Sequence, residues 1–253
     1  VMFMIGAILF SMIKVSTHKK INKIEKRKLP LITYLKKYGN ELREGVSILL
    51  GKTFSRLLFG VIAINLVGGA TFVVLPDFSK QHGGAEIFGL LLMAQAMGSL
   101  LGALFAPYLK LERFGMGKVY AVAFIISGVA WSISIFSPWT WLMIAMYGTA
   151  WFPGGVTNIL INTCLQKGIP THLLGRVFSA SFSISGIAMP LGSLIGGILG
   201  VTFGSVYVIC FSGIVVLMVG LFWLMDKTTR TLPKSEDITE STFLGELPEV
   251  RAN

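Results

Sequence analysis

The chain has 253 residues, of which 53% are hydrophobic and 13% charged, and its formal net charge is +10. A soluble domain of this length spreads charge along all its helices; here long uncharged apolar runs alternate with short polar stretches, which excludes that class. The basic excess gathers in the connections between runs, so it argues for membrane orientation and against a nucleic-acid partner.

In chain order, residues 1–13 are apolar but too few to cross a bilayer, which takes about 20 residues in a helix. Basic residues follow this stretch, the reverse of a secretory signal, where positive charge comes first. It is expected to be the inner end of a span that starts earlier, with a re-entrant or surface segment as the alternative. Residues 14–56 then hold twelve Lys and Arg against three acidic residues. The stretch from Lys14 to Lys28 reads as a solvated linker. Pro30 stands where a helix can begin. Leu31, Leu35, Tyr38, Leu42, Val46 and Leu49 recur at spacings of three and four, which predicts an amphipathic helix. It would lie on the inner membrane surface or pack against the protein's own inner side.

Six runs free of Asp, Glu, Lys and Arg follow: residues 57–75, 87–107, 119–136, 139–165, 177–200 and 203–225. Each is long enough to cross the ~30 Å hydrocarbon layer as a helix. The loops between them are short, which predicts antiparallel packing of neighbours, and small residues recur in the second run (Gly98, Ser99, Gly102, Ala103) and the fifth (Gly186, Gly192, Gly196, Gly197, Gly200). Lys110, Arg113 and Lys118, then Lys167 and Arg176, and finally Lys227, Arg230, Lys234 and Arg251 occupy alternate connections; the opposite side holds only Lys80. Thus 21 of 22 basic residues fall on one side, which the positive-inside bias makes cytoplasmic. Trp139 and Trp141 at outer edges, and Tyr108, Tyr120 and Trp223 at inner edges, are expected in the headgroup belts. Cys164 and Cys210 lie inside spans, where a structural disulfide is not expected. The tail, residues 226–253, is polar and acidic from Lys234 onward and is expected to be disordered. The domain plan is therefore a span end (1–13), a cytoplasmic linker (14–56), a six-helix bundle (57–225) and a cytoplasmic tail (226–253), in an all-α integral membrane fold.

The fourth run carries the most chemistry. Tyr147, Trp151, Asn158 and Asn162 follow at spacings of four, seven and four, which places them on one helical face. Pro153, Gly154 and Gly155 are expected to break the helix between them, since proline removes a donor and glycine is a weak helix former. A broken membrane helix is tolerated where it is buried or lines a cavity, and rings with neutral amides suit bulky, partly apolar ligands. Equally, asparagines bridge helices in ordinary bundles. Gln95 and Asn65 are further candidates for the substrate site, whereas Thr71, Ser127 and Trp131 read as packing. Arg113 and Arg176, placed at inner helix ends, could hold a gate through ion pairs or helix-end carbonyls, or simply obey the charge bias. No ionisable group lies in the spans, and His18, His82 and His172 read as loop residues, so no proton relay is offered. Nothing has the spacing of a metal site, a phosphate loop or a hydrolytic triad; no catalytic residue, metal or cofactor is expected.

One long basic connection, preceded by a span end and followed by six spans, resembles the second half of a major facilitator superfamily transporter. Residues 102–118 look like that family's inner loop between the second and third spans of a half, with Arg113, Gly115 and Lys118 matching its R-x-G-x-x-K/R core; the usual acidic residue is replaced near Pro107. Gln166 through Pro170, followed by Gly175-Arg-Val-Phe-Ser179, is similar to a signature of the drug-exporting branch that includes macrolide efflux pumps and a siderophore exporter. Leu174 stands there in place of a frequent Arg. Gly186, Pro190, Gly192, Gly196 and Gly197 echo the family's glycine-proline motif. The resemblance implies the C-terminal half of a twelve-helix secondary transporter in the cell membrane. It further implies proton-coupled efflux of amphipathic small molecules, with the coupling carboxylate in the other half and a substrate site between halves. Export or flipping of a specific metabolite, siderophore or lysolipid, and a six-span scaffold without transport, are the alternatives. The expected partners are the small substrate, the lipid bilayer and the N-terminal half.

Overall fold

A chain crossing lipid must satisfy its backbone N–H and C=O groups internally, and helices do this segment by segment. In the computed structural model the described residues are 49–234, together with 39, 46 and 237–239, and all their regular elements are helical. Six long helices follow in order: α1 Lys52–Gln81, α2 Ala85–Phe105, α3 Met116–Ser134, α4 Thr140–Gly168, α5 Thr171–Phe203 and α6 Ser205–Met225. A 3-10 turn, Leu111–Arg113, precedes α3, and the short helix α7, Lys227–Arg230, follows α6. We call the end with the loops around Arg113 and Ile169 the basic end and the opposite one the bare end.

Five of the six long helices are long and apolar enough to cross a membrane; α4 is long enough at 29 residues but more polar than the others. Its tyrosine, asparagines and threonines lower its hydropathy, yet it lies along α2 and α3 in the same bundle. Outward faces are greasy: Phe182, Leu194, Phe203, Tyr207, Phe211 and Met218 are all exposed. In water that surface would associate, whereas acyl chains cover it.

Two helices outrun their sequence limits. Helix α1 continues through Pro76 to Gln81, where a loop is expected from residue 76, and α5 begins at Thr171, so the basic loop before it shrinks to Ile169 and Pro170. At the bare end Gly84 (φ 83°) and Gly204 (φ 93°) turn the chain in the left-handed region, which side chains resist. The expected span end, the linker and most of the amphipathic helix lie outside the described residues. From that helix's apolar face, Leu49 is buried beside Leu58, Leu165 and Ile169, in protein and not lipid.

Packing does not follow chain order. The tightest pairs are α1 with α5, α2 with α4, and α3 with α6. Of these, α1/α5 and α2/α4 run parallel; among chain neighbours only α3 and α4 share an extensive interface, and each packs more closely on another helix. Glycine decides the pairs. A Cβ on Gly98 would overlap the Gly148 carbonyl, one on Gly102 the Phe152 carbonyl, and one on Gly155 the Ser99 carbonyl. Gly192 and Gly196 bring α5 onto Leu66 and Ala70 of α1, while Gly128 and Gly213 join α3 to α6. Lipid supplies no hydrophobic drive between helices, so seams of small residues that let backbones touch choose the neighbours.

Two expected belt residues are instead core. Tyr120 and Trp223 are buried, whereas Tyr108, Trp139 and Trp141 are exposed as belts require. The tail also differs from its expected disorder where it is described. Asp226 caps α7, and both Leu232 and Ile238 are buried.

Candidate functional site

Helix α4 is continuous from Thr140 to Gly168, so Pro153 does not break it. Its missing N–H would leave carbonyls one turn earlier loosely held. The carbonyl that loses its partner is that of Thr149; next to it, Ser127 of α3 donates its hydroxyl to the Ala150 oxygen at 2.6 Å and ties the proline turn to α3. Thr157 adds a hydroxyl bond to the Pro153 oxygen at 2.9 Å, and Tyr120 donates to the Thr157 oxygen at 2.7 Å. Ser127 is thus a bracing donor for the proline turn. Replacing it with alanine should cost about 1 kcal/mol, as interhelical hydrogen bonds in membranes do, measured as a lower unfolding midpoint in detergent. An unchanged midpoint would remove Ser127 from that role.

The four face residues on α4 divide into two groups. Tyr147 and Trp151 belong to an aromatic cluster with Trp131 of α3. Ring centroids are 6.2 Å apart for Trp131–Tyr147, 5.1 Å for Trp131–Trp151 and 6.4 Å for Tyr147–Trp151. Tyr147 and Trp131 are buried and Trp151 is half-buried. Among the described residues the Trp131 and Trp151 indole N–H groups make no hydrogen bond of normal geometry. Two unpaired donors in apolar surroundings cost free energy, so they are ready for an acceptor. Trp131, read from sequence as packing, therefore joins the candidates; its helical spacing alone could not show which neighbour it faces.

Asn158 and Asn162 lie two to three turns further toward the basic end. Asn162 donates to Asn158 Oδ1 at 2.7 Å and to its backbone oxygen at 2.9 Å. Asn158 is exposed and Asn162 half-exposed, and among the described residues they bond to each other and not to another helix. At 1.5 Å per residue, Trp151 and Asn158 are separated by about 10 Å along the axis, the length of a drug-sized ligand and not of a single contact. Gln95 on α2 follows Ala94, whose backbone oxygen would stand 3.0 Å from a Cβ on Gly148, so Gln95 lies near the level of Tyr147 and Gly148, about one turn from Trp151. Asn65 turns its amide back to the Val61 oxygen at 2.9 Å, within α1.

The arginines separate as well. Arg113 is exposed at the end of the 3-10 turn. Arg176 sits in the second turn of α5, at its N-terminal end, so its own helix offers it no free terminal carbonyls. Among the described residues a salt bridge joins Arg56 to Asp226, between the starts of α1 and α7. No cluster of three His, Cys, Asp or Glu side chains among the described residues could hold a metal ion.

A bundle of long helices joined by glycine seams, greasy outside and with a polar-aromatic helix inside, defines a multi-pass membrane protein of the transporter type. The chain belongs to the Major Facilitator Superfamily, whose profile matches residues 57–251. That membership places it among transporter chains rather than enzymes. It is 28% identical over 138 residues to the multidrug efflux pump Tap of Mycolicibacterium fortuitum, covering 54% of this chain and 33% of that protein. It is 27% identical over 161 residues to the uncharacterized MFS-type transporter YvqJ of Bacillus subtilis, covering 63% of this chain and 37% of the relative. The matches thus span about a third of the length of these curated relatives. No solved structure matches significantly.

Proposed function

We propose that the chain is the C-terminal six-helix half of a secondary transporter that exports amphipathic small molecules from the cell. Its basic end faces the cytoplasm, and the bundle rocks against an N-terminal half. The observation that carries this reading is the sequence shared with a multidrug efflux pump. Helix α4 supports it physically: a bulky, partly apolar molecule would meet the Trp151 ring with Gln95 about a turn away and the Asn158–Asn162 amides about 10 Å further on. With no Asp, Glu or His within the six charge-free runs, and Asp77 and Glu86 only at the bare-end edges of α1 and α2, the coupling carboxylate of a proton-driven cycle is assigned to the N-terminal half. Arg113 and Arg176 are then cations of the cytoplasmic gate region.

In the intact transporter, Trp151→Ala and Asn158→Ala should each lower export of a lipophilic cationic dye at least about tenfold, as lost positioning contacts do, with membrane abundance unchanged. Dissipating the pH gradient should stop export by the native protein. Native rates in both variants would dismiss the α4 site, and gradient-independent export would dismiss proton coupling.

A further inference from the structure

We propose that the chain leaving α6 is a strap that closes the basic end of the bundle and ties the start of α1 to α3, α4 and α6. Its first residue, Asp226, is held twice. Oδ1 pairs with Arg56 of α1, while Oδ2 accepts the Thr229 N–H at 2.8 Å and the Thr229 hydroxyl at 2.9 Å. A four-residue helix cannot persist on its own hydrogen bonds, so this cap and the contacts beyond it hold α7 in place. Beside it Trp223 donates its indole N–H to the Arg56 backbone oxygen at 3.1 Å, fixing the same point of α1 a second time.

From α7 the chain crosses the start of α3, where the backbones touch. The Met116 N–H points to the Pro233 oxygen at 3.4 Å. A Cβ at Gly117 would overlap the Thr229 carbonyl, and one at Gly115 would stand 3.3 Å from the Leu232 oxygen. Gly115 lies in the middle of the Arg113–Lys118 motif, so in this fold that motif's glycine seats the strap. Beyond the crossing, Leu232 and Ile238, each 8% exposed, pack with Leu57 of α1, Met116 and Tyr120 of α3 and Cys164 of α4. One short segment with two apolar anchors, a cap and an ion pair therefore contacts helices from all three glycine-seamed pairs at the same end. Such a clamp makes the six helices turn as one body.

Cys164 lies beneath the anchors and reports the strap's state. In the full transporter, with Cys210→Ser and any cysteine outside this chain replaced, permeabilised membranes are treated with a bulky maleimide. The native strap should protect Cys164, and the Leu232→Asn/Ile238→Asn variant should label at least about tenfold faster as the open population rises. Equal rates in the two proteins would overturn the proposal. Should that variant fail to accumulate, a second test leaves the anchors intact. With Cys164 and Cys210 both changed to Ser, Met116→Cys and Pro233→Cys should be joined by a short bis-maleimide in most molecules. Absence of that cross-link in folded, membrane-inserted protein would equally overturn it.

Discussion

Gly155→Val should dismantle the seam between α2 and α4 and remove most folded protein from the membrane. At Gly155 a Cβ would overlap the Ser99 carbonyl and lie 3.0 Å from the Ala103 nitrogen, both backbone atoms of α2 that cannot rotate away. The helices must part, and the neighbouring contacts of Gly98 on Gly148 and Gly102 on Phe152 are lost with them. Overpacking a close contact costs about 1–3 kcal/mol and occasionally more; a rigid seam with three such points falls at the upper end or beyond. Even Gly155→Ala should lower the unfolding midpoint in detergent by about 10 °C, at roughly 2–4 °C per kcal/mol for a domain of this size. The adjacent residue supplies the control. A Cβ at Gly154 meets nothing within 4 Å, so Gly154→Ala should be neutral or gain up to ~1 kcal/mol of helix propensity. If the two alanine variants melt alike, the seam is not what holds α2 to α4.

That contrast between adjacent glycines marks where sequence stops informing. Charge-free runs gave the six long helices because lipid permits little else, and the glycines in the second and fifth runs pointed to close packing. Composition could not say which of them were used: Gly98, Gly102, Gly192 and Gly196 touch a partner backbone, whereas Gly186 and Gly197 face open space. Partner choice depends on the azimuth of each glycine around its helix relative to a helix far away in the chain. The same reason explains the parallel pairing of α1 with α5 and of α2 with α4, which short loops conceal. Pro153 was misleading because its local effect is to break a helix, while the contact that braces the turn, Ser127 on the Ala150 oxygen, comes from α3. The spacing of Tyr147, Trp151, Asn158 and Asn162 did describe one face of α4. Spacing carries no depth-dependent partner information, however, so it joined a buried ring cluster to an exposed amide pair. Trp223 was misplaced at the headgroups by its position near a run's end; the strap and α1 cover that end and turn it into core.

Trp223→Ala should give the largest loss of any single side-chain truncation at the basic end. The side chain is fully buried, its ring lies against Gly60 of α1 so closely that a Cβ there would overlap it, and its edge contacts reach Tyr120 and Phe124 of α3 at centroid distances of 6.0 and 5.3 Å. Truncation removes all of these together with the N–H bond to Arg56. Large aromatic-to-alanine changes in packed cores cost about 3–5 kcal/mol. Trp223→Phe separates the terms: it keeps most ring contact, leaves the Arg56 carbonyl without its donor, and should cost about 1–2 kcal/mol. Trp139, exposed at the bare end, has no such packing to lose, and Trp139→Ala should leave the midpoint nearly unchanged. Thermal unfolding of the three purified variants in one detergent should therefore rank them Trp223→Ala, Trp223→Phe, Trp139→Ala in order of damage. A midpoint for Trp223→Ala close to that of Trp139→Ala would mean that Trp223 faces the headgroups after all. In that case the joint of α1, α3 and α6 would have to be held by the Arg56–Asp226 pair and the glycine seams alone.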